Sequence, residues 1–211
     1  MLFPQYKRRA TVEYWTDHFS VSSEQELLEH PRARAIVEFL ERHVPKSARV
    51  VEAGASWGRF VLLLERHGYR HVEGFDNNRD LVARARTNGV AVRFGDIVKT
   101  PYKEASFDLY VDIGTLEHFH PPDQDLILRE ARRILAAGGM IALDVTYFTW
   151  KRWLLLPVMW VLNELRRLRG AEFYQYIFSK GAAKMLLERN GFHVMHVLDR
   201  DPRVLILAQR R

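Results

Sequence analysis

A doubly wound α/β domain is the fold this sequence predicts: a parallel sheet with helices on both faces, ending in an antiparallel hairpin. Three observations carry the expectation. Strand-like and helix-like segments alternate five times between Arg49 and Thr146, which argues for a parallel sheet covered on both sides. A turn built from small residues, Gly54-Ala55-Ser56-Trp57-Gly58, follows the first strand. Near the end, two apolar runs are split only by Arg200, Asp201 and Pro202, and so short a link implies antiparallel pairing.

The elements follow in order. After a polar start containing Tyr14, Trp15 and Phe19, the run from Ser23 to His43 places Leu27, Leu28, Ile36, Val37 and Leu40 among charges and is broken by Pro31. It reads as one short and one longer helix. ARVVEA is the first strand, Gly58 to His67 a helix, HVEGFD the second strand, Arg79 to Thr87 a helix, and VAVRFGD the third strand. FDLYVDI is the fourth strand, a helix runs from about Asp123 to Leu135, and the glycine pair of AAGG leads into MIALDVT, the fifth strand. Residues 147–177 interrupt the rhythm as an aromatic and basic insertion, FSKGAAKMLLERNGF gives another helix, and HVMHVLDRDPRVLILAQ gives the hairpin. We read residues 1–45 as a helical cap and 46–211 as one domain, with 147–177 as its insertion.

Composition narrows the function. The chain has 211 residues, 47% of them hydrophobic, enough for one domain with its own core. A formal charge of +6 favours anionic partners without choosing among them. The absence of cysteine excludes a thiolate nucleophile or metal site. The first residues hold no apolar core of signal-peptide length, so a cytoplasmic location is expected.

The chemistry gathers at strand ends. A glycine between the first strand and first helix lets backbone amides approach a ligand beyond the carboxyl edge of the sheet. Asp76 ends the second strand 18 residues after Gly58, where a carboxylate can accept from ribose hydroxyls. Asp96 ends the third strand in RFGDI. Together these residues describe a nucleoside pocket. Each alone has a plainer reading: a tight turn for the glycines, turn or helix caps for the aspartates, a buried acid bonded to loop amides for Glu52.

VVEAGASWGRF, VEGFD, GDI, FDLYVDIGTLEHF, RILAAGGMIAL and FSKGAAKMLLERNGFHV resemble, in order, the motifs of class I S-adenosylmethionine-dependent methyltransferases. The likeness is to the subgroup related to ubiquinone and menaquinone biosynthesis methyltransferases, and it runs from about Arg49 to the C-terminus. It implies a seven-stranded, Rossmann-like sheet with an antiparallel last strand and S-adenosyl-L-methionine as cofactor. The methionine part would lie on Glu52, Gly54, Ala55, Ser56 and Gly58, the ribose on Asp76 beside Asn77, and the adenine on Asp96 and Ile97, with Asp112 at the fourth strand. The chain departs from the family's G-x-G-x-G pattern by carrying Ser56 at the central glycine.

A sulfonium methyl group is already electrophilic, so the work is chiefly alignment. For a hydroxyl acceptor His118 is the candidate base, with His120, Asp112 and Glu117 as weaker candidates and a packed structural histidine as the plain alternative. Tyr147 and Lys151 show the Y-x-x-x-K spacing of short-chain dehydrogenases, but the glycine loop those enzymes need near the N-terminus is missing. The insertion's apolar stretch WLLLPVMWVL, flanked by Lys151, Arg152, Arg166, Arg167 and Arg169, suits a lid or a peripheral membrane contact through residues 148–169. Both favour a small, hydrophobic or lipid-like acceptor over nucleic acid. A non-catalytic binding protein on the same fold is the alternative.

Overall fold

The computed structural model describes residues 2–7, 30–149 and 154–211. Its centre is a seven-stranded sheet. The strands are β2 (Arg49–Ala53), β3 (His71–Asp76), β4 (Val92–Phe94), β5 (Phe107–Ile113), β6 (Leu135–Thr146), β8 (Phe192–Arg200) and β9 (Arg203–Arg210), in the spatial order β4-β3-β2-β5-β6-β9-β8. β2, β3, β4, β5 and β6 are parallel, and β9 lies antiparallel to both β6 and β8. β2 and β5 sit mid-sheet with both faces covered, which is why Val50, Val51, Leu109 and Val111 are fully buried and no polar alternation shows in the sequence.

The helices pack on the two faces: α1 (Pro31–Glu41), α2 (Arg59–Arg66), α3 (Arg79–Thr87), α4 (Pro121–Ile134) and α6 (Lys180–Arg189). One core cluster joins α1, α2 and α3 to one face through residues such as Leu40, Leu64 and Val82; a second joins α4 and α6 to the other through Ile127, Ala131 and Leu187. Start signals are local. Asn78 accepts from the Asp80 and Leu81 amides at the head of α3, Ser179 accepts from Ala182 at the head of α6, and prolines occupy the first turns of α1 and α4.

The ends of the chain differ from expectation. Leu2–Lys7 forms a strand, β1, which pairs antiparallel with β7 (Glu172–Phe178) in a separate two-stranded ribbon. The insertion is therefore a helix, α5 (Leu156–Leu168), followed by a strand, and the N-terminal segment is not wholly helical. The longer expected helix begins at Pro31, as its fixed φ favours. The expected shorter helix from Ser23, together with Tyr14, Trp15, Phe19, Lys151 and Arg152, lies outside the described residues. β4 ends at Phe94, so Asp96 falls in the following turn, bridged to Lys99. Tyr147 forms a bridge with Phe178 just beyond β6 and is on no helix, so the dehydrogenase arrangement of a tyrosine and lysine on one helix face does not arise.

Gly58 shows how tightly the turn is fitted. It caps α2 at φ +86°, and a Cβ there would stand 2.5 Å from Val90 Cγ1. Strain in the left-handed region and overpacking each cost of order 1 kcal/mol or more. Gly58→Ala is expected to lower Tm by roughly 4–8 °C in a thermal melt; an unchanged Tm would contradict this fit.

Candidate functional site

The carboxyl ends of β2, β3 and β5 open into a cleft of about 680 Å³. One half is walled by Glu52, Gly54, Ser56, Asp76, Asn77 and Ile97; the other by Arg32, Glu117, His118, Phe119, Tyr174 and Arg203. Gly54 brings main chain to the cleft at φ +63°, and any Cβ would collide with the Thr115 hydroxyl at 2.3 Å. Ser56 also holds a positive φ, 54°, so the position that resembles the family's central glycine keeps that glycine's backbone geometry with a side chain attached. The Ser56 hydroxyl is buried without a hydrogen-bond partner.

Carboxylates tie the loops to the strands. Asp76 accepts from the Ser56 amide at 2.8 Å through Oδ2 and from the Asn78 amide at 2.8 Å through Oδ1. Burial nevertheless raises its pKa, opposed by those amides. Asp112 accepts from Thr115 at 2.8 Å and from Leu116 at 3.2 and 3.1 Å, and burial pushes its pKa up to about 7. Glu52 is different. It is 5% exposed, its Oε2 has no hydrogen-bond partner, and burial, then the charges of Asp76 and Asp112, hold its pKa well above the carboxylate range against an amide bond from Val61 and the charge of Arg59.

The other half carries a buried charge network. Arg203 on β9 donates to Glu117 Oε1 at 2.9 Å, to Asp144 Oδ2 at 2.9 Å and to the Thr146 hydroxyl at 2.8 Å. Arg32 on α1 pairs with Asp144 as well. Two arginines thus balance two carboxylates in a space where either sign alone would be costly. Gly114, φ +81°, yields room for Arg203, whose Nη2 would lie 2.8 Å from an added Cβ. His118 lines the cleft, and its Nδ1 stands 2.6 Å from the Tyr174 carbonyl oxygen. A carbonyl only accepts, so Nδ1 carries the proton, and burial lowers the pKa and keeps the ring neutral.

The structure brings Glu52, Gly54, Ala55, Ser56, Asp76, Asn77 and Ile97 to one wall and His118 to the opposite one. It does not bring every expected residue there. Gly58 is used for packing against Val90, Asp112 lies beneath the Thr115 loop, and Asp96 is exposed with its Oδ1 accepting from Val98 at 3.0 Å. His120 stacks on Phe173 and meets the Tyr176 hydroxyl outside the cleft, and Glu117 is held by Arg203 and Thr146, which leaves neither placed as a base. Sequence reasoning missed Arg32, Arg203 and Tyr174. The only local signal was an arginine directly after Asp201-Pro202, where a turn needs none.

Comparison with known proteins agrees with this architecture. Residues 50–139 match the family described as "Methyltransferase domain". The mouse protein "Probable tRNA methyltransferase 9B" is 30% identical over 136 residues, covering 64% of this chain and 27% of its own length. A rice chloroplast 2-methyl-6-phytyl-1,4-hydroquinone methyltransferase is 33% identical over 100 residues, 45% of this chain and 30% of the relative. The chain thus spans under a third of these two relatives. Among solved structures, the magnesium protoporphyrin IX methyltransferase of Synechocystis with bound S-adenosylhomocysteine superposes with a TM-score of 0.71 at 14% identity, over 94% of each chain. The fold is that of class I methyltransferases. The family match covers residues 50–139, under half of the chain, and two of the solved structures that share the fold hold S-adenosylhomocysteine.

The cleft residues fit S-adenosylmethionine as cofactor: the buried Glu52 carboxyl, whose Oε2 makes no hydrogen bond, leaves an acceptor for a cationic group once ionised, and the bare main chain at Gly54 admits a close ligand. Two expectations follow for the apoprotein. Ser56→Gly removes both the left-handed strain and the unpaired hydroxyl, and should raise stability by about 1 kcal/mol, roughly 2–4 °C in Tm; a lower Tm would contradict it. A carboxyl whose folded pKa is raised lends stability that is present below its unfolded pKa, about 4, and lost as pH rises through about 7. Wild type should therefore lose stability relative to Asp112→Asn between pH 5 and pH 8 in denaturant titrations, and parallel profiles would show that burial does not govern Asp112.

Proposed function

We propose that the protein is an S-adenosylmethionine-dependent methyltransferase acting on a small acceptor with an apolar body, and the observation that carries the reading is the unpartnered Glu52 oxygen in the cleft wall. When bound, S-adenosylmethionine supplies an electrophilic methyl group. Glu52 Oε2 receives the ammonium of its methionine part, Asp76 accepts from the ribose hydroxyls with lone pairs its amide bonds leave over, and Ile97 covers a face of the base.

The acceptor enters between Phe119, Tyr174 and Ile36, whose apolar surfaces exclude water, while Arg32 offers a polar group at the rim. His118, neutral and oriented by the Tyr174 carbonyl, takes the proton of an acceptor hydroxyl at Nε2 as the oxygen is methylated. The volume suits a cofactor with a compact acceptor, within the roughly 300–1,000 Å³ of small-molecule sites. The hydroquinone acceptor in the rice relative's name and the porphyrin in the Synechocystis protein's name support an aromatic, hydrophobic body. The mouse relative's name supplies RNA as a second acceptor class, so nucleic acid is not set aside on charge pattern alone.

Calorimetry with S-adenosylmethionine and S-adenosylhomocysteine tests the cofactor, and transfer of a labelled methyl group to hydroquinones or to tRNA separates the acceptors. Because Glu52 must lose a proton to hold an ammonium, affinity is expected to rise with pH until the free enzyme's carboxyl is ionised. Glu52→Gln should flatten that dependence, and Asp76→Ala should weaken binding by about one to two orders of magnitude. No heat with either ligand, or wild-type affinity in both variants, would overturn the reading.

A further inference from the structure

Helix α5 wears its apolar side outward. Val158, Val161, Leu162, Leu165 and Leu168 recur at three- and four-residue steps, share one face, and are 43–74% exposed. Leu154 and Leu155, just before the helix, extend the same stripe. The opposite face holds the helix to the protein: Leu156 and Met159 pack on Phe3, Phe148 and Ile177, while Asn163 donates to the Pro4 carbonyl at 2.9 Å and accepts from the Tyr6 amide at 3.1 Å. Asn163 thereby satisfies the outer edge of β1 and fixes which way α5 faces. An amphipathic helix that served only the core would be turned the other way.

Cations stand at the end of this stripe. Arg166 and Arg169, with Tyr6, Lys7 and Ala171, line a second hollow of about 420 Å³, and neither arginine has a carboxylate partner among the described residues. Arg167 is paired with Glu164. In sequence, Lys151 and Arg152 precede the stripe. A second copy of the chain meeting this face with the two helices parallel would set Arg166 and Arg169 against their own copies. A surface that is apolar within and anionic at its rim has the complementary pattern.

We propose that α5 docks the protein on anionic lipid bilayers, with the aliphatic stripe sunk among the acyl chains and Arg166 and Arg169 on headgroup phosphates. No helix among the described residues is long and apolar enough to cross a membrane, so the contact is peripheral. The geometry links the two surfaces. α5 rests on the β1–β7 ribbon, and β7 presents Tyr174 and Gln175 to the cleft, with Lys7 Nζ 3.6 Å from the Tyr174 ring centroid. A docked molecule thus holds the acceptor wall next to the bilayer from which an apolar acceptor comes.

Co-sedimentation with phosphatidylcholine vesicles, with and without phosphatidylglycerol, tests the docking. Wild type is expected to pellet with the anionic vesicles and weakly with the neutral ones. Val158→Asp/Leu165→Asp and, separately, Arg166→Glu/Arg169→Glu should each lower the partition at least about tenfold. Both pairs are exposed, so their melts and their affinity for S-adenosylhomocysteine should match wild type, which separates failure here from failure of the methyltransferase reading. Absence of wild-type binding, equal binding by all three proteins, or an apolar-face dimer in light scattering that replaces vesicle binding would overturn the proposal.

Discussion

A negative charge placed at the end of a buried strand must be answered by something, and in this fold the answer decides what each loop does. Asp76 and Asp112 are answered from within: backbone amides of Ser56 and Asn78 converge on one, those of Thr115 and Leu116 on the other. These bonds pin the loops over β2 and β5 in the conformations that shape the cleft. Glu52 lies between them on β2 and is answered by the Val61 amide and the nearby charge of Arg59, while its buried Oε2 makes no hydrogen bond. The asymmetry converts an architectural device into a binding site. A hydrogen-bond acceptor left unsatisfied in the apoprotein costs stability that a cationic ligand returns.

The facing half of the cleft is held by a different balance. Arg203 reaches from the last strand across to Glu117 and Asp144, and Arg32 closes the group from α1. Four charges drawn from four elements are neutral together, and the network fixes the 3₁₀ turn, Leu116–His118, that carries His118. The antiparallel position of β9 therefore has a direct consequence for the site: it delivers the Arg203 side chain beneath Gly114 at the mouth of β5.

Local signals made much of this legible in the sequence. Apolar runs of four to seven residues, helix-starting Asn78, Ser179 and Pro121, and the small residues after β2 each act within a few positions of where they are written. The alternation of strands and helices and the place of Asp76 follow from those signals, whereas the seven-stranded order and the parts of Glu52 and Ile97 came with the family resemblance. The β1–β7 ribbon was not legible, because Gln5 and Gln175 pair across 170 positions and Leu2–Lys7 is too short to announce a partner. Nor was the Arg203 network, whose members gain their meaning only once β6 and β9 are side by side. Asp96 and Asp112 show the limit of position alone: both make turn bonds, to Val98 and to Thr115, and an aspartate at a strand end serves a turn as readily as a ligand.

The central claim is that the lone Glu52 oxygen is the seat of the cofactor's charged end. A crystal structure with S-adenosylhomocysteine tests it most directly. The account predicts the ligand's ammonium within hydrogen-bond distance of Glu52 Oε2 and its ribose against Asp76. A ligand seated elsewhere, or one in this cleft that leaves Glu52 Oε2 without a partner, would contradict it.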